Sequence, residues 1–217
     1  MPPFPRILRA PNPTDLAIIQ RAEMTELLSR AELEQQLVNE EAAHGLDHPR
    51  VGAILSTLGR FLYGIGHLDQ AERLLARALV IHERTHGPNA PTLADPLGDL
   101  AMVKAWRSPI EAAPLLRRAL AIDEQALGAA HPGMASRLSN LGMVLHDLGE
   151  AEEARSLLER ALAIRELATG TTSPEVASDL ANLALALKAL GAFEEAEARL
   201  ARAVEIAEAA PHRAGAL

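Results

Sequence analysis

The chain has 217 residues, a formal net charge of −8 and 48% hydrophobic but only 2% aromatic residues. The acidic balance excludes non-specific nucleic-acid binding, which needs a basic surface to displace counterions, and a polybasic membrane anchor. With no cysteine there is neither a disulfide framework nor a thiolate metal site. The apolar content is nearly all Ala, Leu, Ile and Val; Ala and Leu are the best helix formers, so an all-α chain is expected.

No apolar run approaches the ~18–20 residues that span a bilayer. The opening MPPFPRILRAPNPTD has no continuous apolar stretch of the kind a secretory signal needs. A soluble, cytoplasmic protein is therefore expected. Lys104 and Lys188 are the only lysines, a coding bias that points to a bacterial source.

Residues 1–13 read as a flexible N-terminal tail, and 14–47 as degenerate capping helices. Thr14 caps a first helix over 15–27. Ser29-Arg30-Ala31-Glu32 is a capping-box pattern that opens a second helix reaching His44. Gly45 lies 42 residues before Gly87, so this stretch is in register with the later units and reads as a worn repeat.

From residue 48 the chain repeats. Four segments superimpose: 48–88, 89–130, 131–172 and 173–209. Ala71, Ala112, Ala154 and Ala196 are 41, 42 and 42 residues apart. At +4, +7 and +10 from them come Leu75, Leu116, Leu158 and Leu200, then Ala78, Ala119, Ala161 and Ala203, then Ile81, Ile122, Ile164 and Ile206. Those offsets draw one stripe on a helix of period 3.6. Upstream, Leu55, Leu97, Leu138 and Leu180 align, and three residues later Leu58, Leu100, Leu141 and Leu183. Beside these sit Gly59, Ala101, Gly142 and Ala184, small enough for two helices to approach closely.

Each segment opens with X-Pro: His48-Pro49, Ala90-Pro91, His131-Pro132 and Ser173-Pro174. Proline suits a first helical turn, where its missing N–H costs nothing. Gly66, Gly149 and Gly191 mark a turn in mid-segment, where a left-handed helix end favours glycine. Each unit is thus helix A, a tight turn and helix B, followed by a loop after Gly87, Gly128 or Gly170. A lone helical hairpin cannot bury both apolar faces, whereas stacked hairpins can. The expected product is a right-handed α-solenoid. Residues 210–217 read as a C-terminal tail. The sequence stops at Leu217 without a polar capping helix. The face around Ala198, Ala201, Val204 and Ala209 is therefore expected to stack on something, another copy or a missing part of a longer protein.

The pattern Leu55, Leu58-Gly59, Leu62, Ala71, Leu75 and Ala78, with its cognates, resembles the tetratricopeptide repeat family. The ~42-residue period exceeds the usual ~34. The longer period, the His-Pro openings and the phrase Ala112–Leu120 are similar to the kinesin-light-chain subtype. The resemblance implies an interaction scaffold with no catalytic activity, no cofactor and no metal, whose helices A line a concave groove for a partner peptide or helix. Carried over position by position, the groove residues are Thr57, Arg60 and Tyr63 with Ser56; Asp95, Asp99, Met102 and Trp106; Ser136, Asn140, Met143 and His146 with Ser139; and Asn182, Leu185 and Lys188 with Ser178. Asparagines at the positions of Asn140 and Asn182 hold a peptide backbone in the family, since an amide both donates and accepts. Thr57 and Asp99 stand at that position in the first two units. A second reading is a regulatory or sensor array within a larger bacterial signalling or transcription-control system.

One string points to an enzyme. His82-Glu83-Arg84-Thr85-His86 matches HExxH, with the i,i+4 histidines of a zinc hydrolase. But Glu83 recurs as Glu124, Glu166 and Glu208, so the glutamate belongs to the repeat. No third ligand stands out, although an open catalytic zinc site needs three. Arg77, Arg118, Arg160 and Arg202 form a ladder, expected to cover apolar surface with their stems and pair with acids of neighbouring turns. The second unit is irregular: Pro96, Gly98, a lysine at 104 and a turn one residue short. A distorted helix A, a functional kink and simple sequence drift all fit it.

Overall fold

The computed structural model describes residues 13–209, with side chains from residue 29 onward. The described residues form nine α-helices and no strand. A long helix comes first, α1 (Pro13–His44). Four hairpins follow: α2 (Pro49–Gly64) with α3 (Leu68–His86), α4 (Ala94–Ala105) with α5 (Pro109–Leu127), α6 (Met134–Asp147) with α7 (Ala151–Thr169), and α8 (Pro174–Ala189) with α9 (Phe193–Ala209). The expected tails, 1–13 and 210–217, lie outside the described residues except for Pro13, which opens α1.

The hairpin boundaries follow the expected chemistry in part: Pro49 and Pro174 open α2 and α8, whereas Pro132 lies two residues before the start of α6. Gly66, Gly149 and Gly191 in the turns have φ of 80°, 81° and 77°, a conformation that a side chain disfavours. In the irregular second unit, a 3-10 turn over Pro91–Leu93 delays the start of α4. Pro96 therefore falls in the first turn of that helix, where no intrahelical N–H bond is lost. Neither a break nor a kink is needed to accommodate it.

The N-terminal region differs from expectation. α1 runs unbroken through Ser29, where the capping box predicts a new helix. Residues 14–44 contain no Gly or Pro, so nothing interrupts the backbone ladder. The helix ends at Gly45, whose φ of 86° equals that of Gly87. The second half of α1 thus occupies the place of a helix B, with Leu37 packed against Val51, Leu55, Ala78 and Ile81.

The alanine-leucine stripe forms the core. Ala71, Leu75, Ala78 and Ile81 are buried, as are Ala112, Leu116, Ala119 and Ile122, and Ala154, Leu158, Ala161 and Ile164. A buried leucine contributes about 1.5–3 kcal/mol. Close approach depends on the small residues of the A helices: a Cβ on Gly59 would lie 2.6 Å from Leu75 Cγ, and one on Gly142 would lie 2.7 Å from Leu158 Cγ. Within a hairpin A meets B, and each B meets the next A. A helices also contact one another, α2 with α4, α4 with α6 and α6 with α8. Among the described residues, successive B helices after α1 are bridged by long side chains instead. The A layer is therefore the inner side of the solenoid.

Those side chains form a repeating rung. Arg77 pairs with Glu41 at 2.6 Å, Arg118 with Glu83 at 2.5 Å, Arg160 with Glu124, and Arg202 with Glu166 at 2.5 Å. Each arginine also donates to a carbonyl just past the glycine that ends the preceding B helix: Leu46, Pro88, Ala129 and Thr171 in turn. The expected structural role of the ladder holds. Glu41 completes the series, which places α1 in register with the units.

A second kind of ion pair joins two of the B helices to the A helix that follows, with opposite polarity in the two cases. Asp123 on α5 accepts from Arg137 on α6 at 2.8 Å. One unit on, Arg165 on α7 donates to Asp179 on α8, which is only 3% exposed. Gly98 lies against the first of these: a Cβ there would come 2.1 Å from Arg137 Nη1, so a side chain would displace the guanidinium from its present position.

Candidate functional site

The inner face is built from the A helices, and the 3.6-residue period sets what it displays. Positions i, i+4, i+7 and i+11 face the same way, giving Asp95, Asp99, Met102 and Trp106 on α4 and Ser136, Asn140, Met143 and Asp147 on α6. Tyr63, Met102, Trp106, Asn140 and Met143 converge, with Ala105, Val144 and Asp147, on one hollow of about 380 Å³. Trp106 is 70% exposed, and its Nε1 donates to Tyr63 Oη at 3.1 Å, which ties the edges of the two rings together.

The remaining predicted residues are distributed around this hollow. Arg60 donates to Asp99 at 3.3 Å, linking α2 to α4. Burial raises the Asp99 carboxyl above the ordinary carboxylate range, with Arg60 opposing the shift. Asp95 pairs with Arg137, and the Ser136 hydroxyl accepts from Arg165 Nη2 at 3.3 Å. Thr57 turns its hydroxyl back to the Ala53 carbonyl at 3.0 Å. Asn182 donates from Nδ2 to Ser139 Oγ at 3.2 Å, leaving its carbonyl and second N–H for another partner. The residue equivalent to Ser139 one unit earlier is Gly98, which has no hydroxyl to offer Asn140. Leu185 is 44% exposed and Lys188 is exposed, one unit beyond the hollow.

Two placements differ from expectation. The hollow is lined by Asp147, whereas His146, one residue earlier, is not among its lining residues. Register carries the signal: Asp147 stands 41 residues after Trp106, as Met143 does after Met102. Lys104, at a position apolar in the other units, is held at the back of α4 between Glu72 at 2.8 Å and Glu111 at 2.6 Å.

The HExxH string takes a structural place. Glu83 is engaged by Arg118 in the rung. His82 Nε2 lies 3.3 Å from Ser56 Oγ, and its ring stacks on His86 with centroids 6.1 Å apart. Burial, then the neighbouring His86, holds His82 below the ordinary imidazole pKa. Among the described residues no group of three or more His, Asp or Glu is placed to hold a metal ion. Among the described residues, too, no helix is long and apolar enough to cross a membrane.

The last hairpin shows an open flank. Leu200 is 46% exposed and Val204 is 53% exposed, although the leucines cognate to Leu200 are buried. Leu200, Ala203, Val204 and Ala207 on α9 face Pro174, Ala177, Ser178 and Ala181 on α8 across a hollow of about 400 Å³. The apolar feature centres there, to one side of the expected Ala198 and Ala201.

These hairpins, their spacing and the glycine-paired leucines define an α-solenoid of interaction-type repeats. The chain belongs to the tetratricopeptide repeat family, whose model matches residues 50–125, 108–166 and 133–209. Among solved structures, BtubC (BKLC) from P. vanneervenii is similar with a TM-score of 0.75 and 26% identity, over 94% of this chain and 84% of that one. A putative kinesin light chain of Podosopora anserina, with nearly identical TPR-like repeats, shares the fold at 0.72 and 24% identity, over 91% of this chain and 94% of that one. YrrB, a TPR protein with an unusual peptide-binding site, shares it at 0.61 and 21% identity, over 85% and 82%. No curated protein matches the sequence.

Proposed function

We propose that the protein is a non-catalytic interaction scaffold that holds a peptide or helix of a partner protein along the inner face of α2, α4, α6 and α8. The observation that carries this reading is the hollow between Tyr63, Trp106, Met102 and Met143, open beside the amide of Asn140. Apolar floor, exposed aromatic and bifunctional amide are what a groove for an extended chain requires. No cofactor enters this function. The test is capture of partners by the intact chain, followed by titration of the best one. Asn140→Ala and Asn182→Ala should each weaken it by about 0.5–1.5 kcal/mol. Unchanged affinity in the double variant would remove the groove from the account.

The exposed Leu200 and Val204 favour a second, compatible reading, in which the α8–α9 flank stacks on another copy or on a further part of a regulatory array. Val204→Glu should then abolish any rise in mass with concentration seen by light scattering. A mass that stays monomeric at high concentration for the unaltered chain counts against self-stacking.

A further inference from the structure

In the inner groove an apolar hollow meets a carboxylate that has no partner. Asp147 is the last residue of α6, where the helix's partial negative charge disfavours an anion. The groove's other acids are neutralised, Asp99 by Arg60 at 3.3 Å and Asp95 by Arg137. Among the described residues no Lys, Arg or His pairs with Asp147. A carboxylate placed against the dipole and left uncompensated at the edge of an apolar site gains most from a cation brought by a ligand.

The hollow beside it is prepared for one large apolar side chain. The Trp106–Tyr63 hydrogen bond holds both rings in place, so little side-chain freedom is lost on binding. Met102 and Met143 are unbranched and repack around ligands of different shape. Met143 and Asp147 are one helical turn apart, roughly 5–6 Å between Cβ atoms. Alternate side chains of an extended peptide, which share a face, are separated by about 6.5–7 Å. The two spacings differ by about 1 Å, which the flexible stem of a lysine or arginine spans readily.

We propose that this hollow is the anchor subsite of the groove, selecting a peptide segment with a large apolar residue and a lysine or arginine two positions to either side of it. The inference rests on the groove reading above. An acidic segment is disfavoured, because it would bring like charge to Asp147.

The probe is a synthetic array of Ser/Gly peptides carrying Leu, Met or Phe at the centre and Lys, Gln or Glu two positions before or after it. Binding to the intact chain is read by fluorescence anisotropy. Lys peptides should bind best and Glu peptides worst, on the order of tenfold apart. Asp147→Asn should erase that order while keeping the need for the apolar residue. Trp106→Ala with Met143→Ala should erase the need for the apolar residue. Circular dichroism checks that each variant stays helical. Equal or better binding of Glu peptides, an order that survives Asp147→Asn, or no binding of any array member overturns the proposal. If binding falls with Asn140→Ala and Asn182→Ala but ignores Trp106, Met143 and Asp147, the groove stands and the subsite does not. If it ignores all five, the groove reading fails as well.

Discussion

Arg118 on α5 reaches back across the stack to Glu83 on α3, 2.5 Å away, and also donates to the Pro88 carbonyl beyond the end of that helix. One guanidinium thus joins two successive B helices and satisfies a carbonyl past a helix end. The same contact explains why a glutamate stands between the histidines of a zinc-protease-like string: the glutamate is a rung of the repeat. Arg118→Met keeps the stem over the apolar surface and removes the head. Both partners are about a third exposed, so a loss of roughly 1 kcal/mol is expected, seen as a lower urea midpoint. Arg118→Lys should recover only part of it, because an ammonium lacks the planar fork that spans carboxylate and carbonyl.

Asp179 should be far more sensitive. It is 3% exposed and its partner Arg165 is 16% exposed, so Asp179→Asn leaves a largely buried cation without its anion. A loss of about 3 kcal/mol is expected by chemical denaturation. Exchanging the two charges, Asp179→Arg with Arg165→Asp, should return a substantial share of it. A double variant no more stable than the sum of the single changes would mean that the pair carries no mutual interaction.

Gly142→Val places atoms where Leu158 already lies. The first of them, Cβ, would sit 2.7 Å from Leu158 Cγ in a fully buried contact between α6 and α7. Overpacking of this kind costs about 1–3 kcal/mol, more than valine's better helix propensity than glycine returns. Thermal unfolding of the variant measures it.

His82 makes stability depend on pH. Its folded-state pKa lies below the ordinary imidazole value of 6.5, chiefly through burial and then through His86. The unfolded chain therefore takes up a proton first as the solution is acidified. The stabilisation is complete above pH 6.5 and is lost as the pH falls from there through the lower, folded value. His82→Gln should flatten the dependence of the urea midpoint in that range; an unchanged slope would assign it to other groups.

The helical hairpins were legible because burial alone dictates them. An alanine-leucine-alanine-isoleucine stripe has one physical use, and the glycines at 66, 149 and 191 have one backbone conformation to serve. The continuity of α1 was not legible, because the Ser29 capping pattern is a local signal, and a helix without Gly or Pro can run through it. Gly98 was equally opaque: in sequence it looks like a defect, and only the structure shows the guanidinium of Arg137 lying against it. In the groove, Trp106, Met102, Met143 and Asn140 follow from register. Asp147 has the same register, but the histidine beside it is the more conspicuous residue. Register separates the two, and the structure places Asp147 at the hollow.

The opposite polarity of Asp123–Arg137 and Arg165–Asp179 gives these two junctions distinct addresses. Splicing a duplicate of 131–172 after residue 172 would set Arg165 against a second Arg137, and deleting that unit would set Asp123 against Asp179. Hairpins that share a hydrophobic design are thereby made non-interchangeable, and a chain with shuffled segments meets repulsion at the junction rather than a fit.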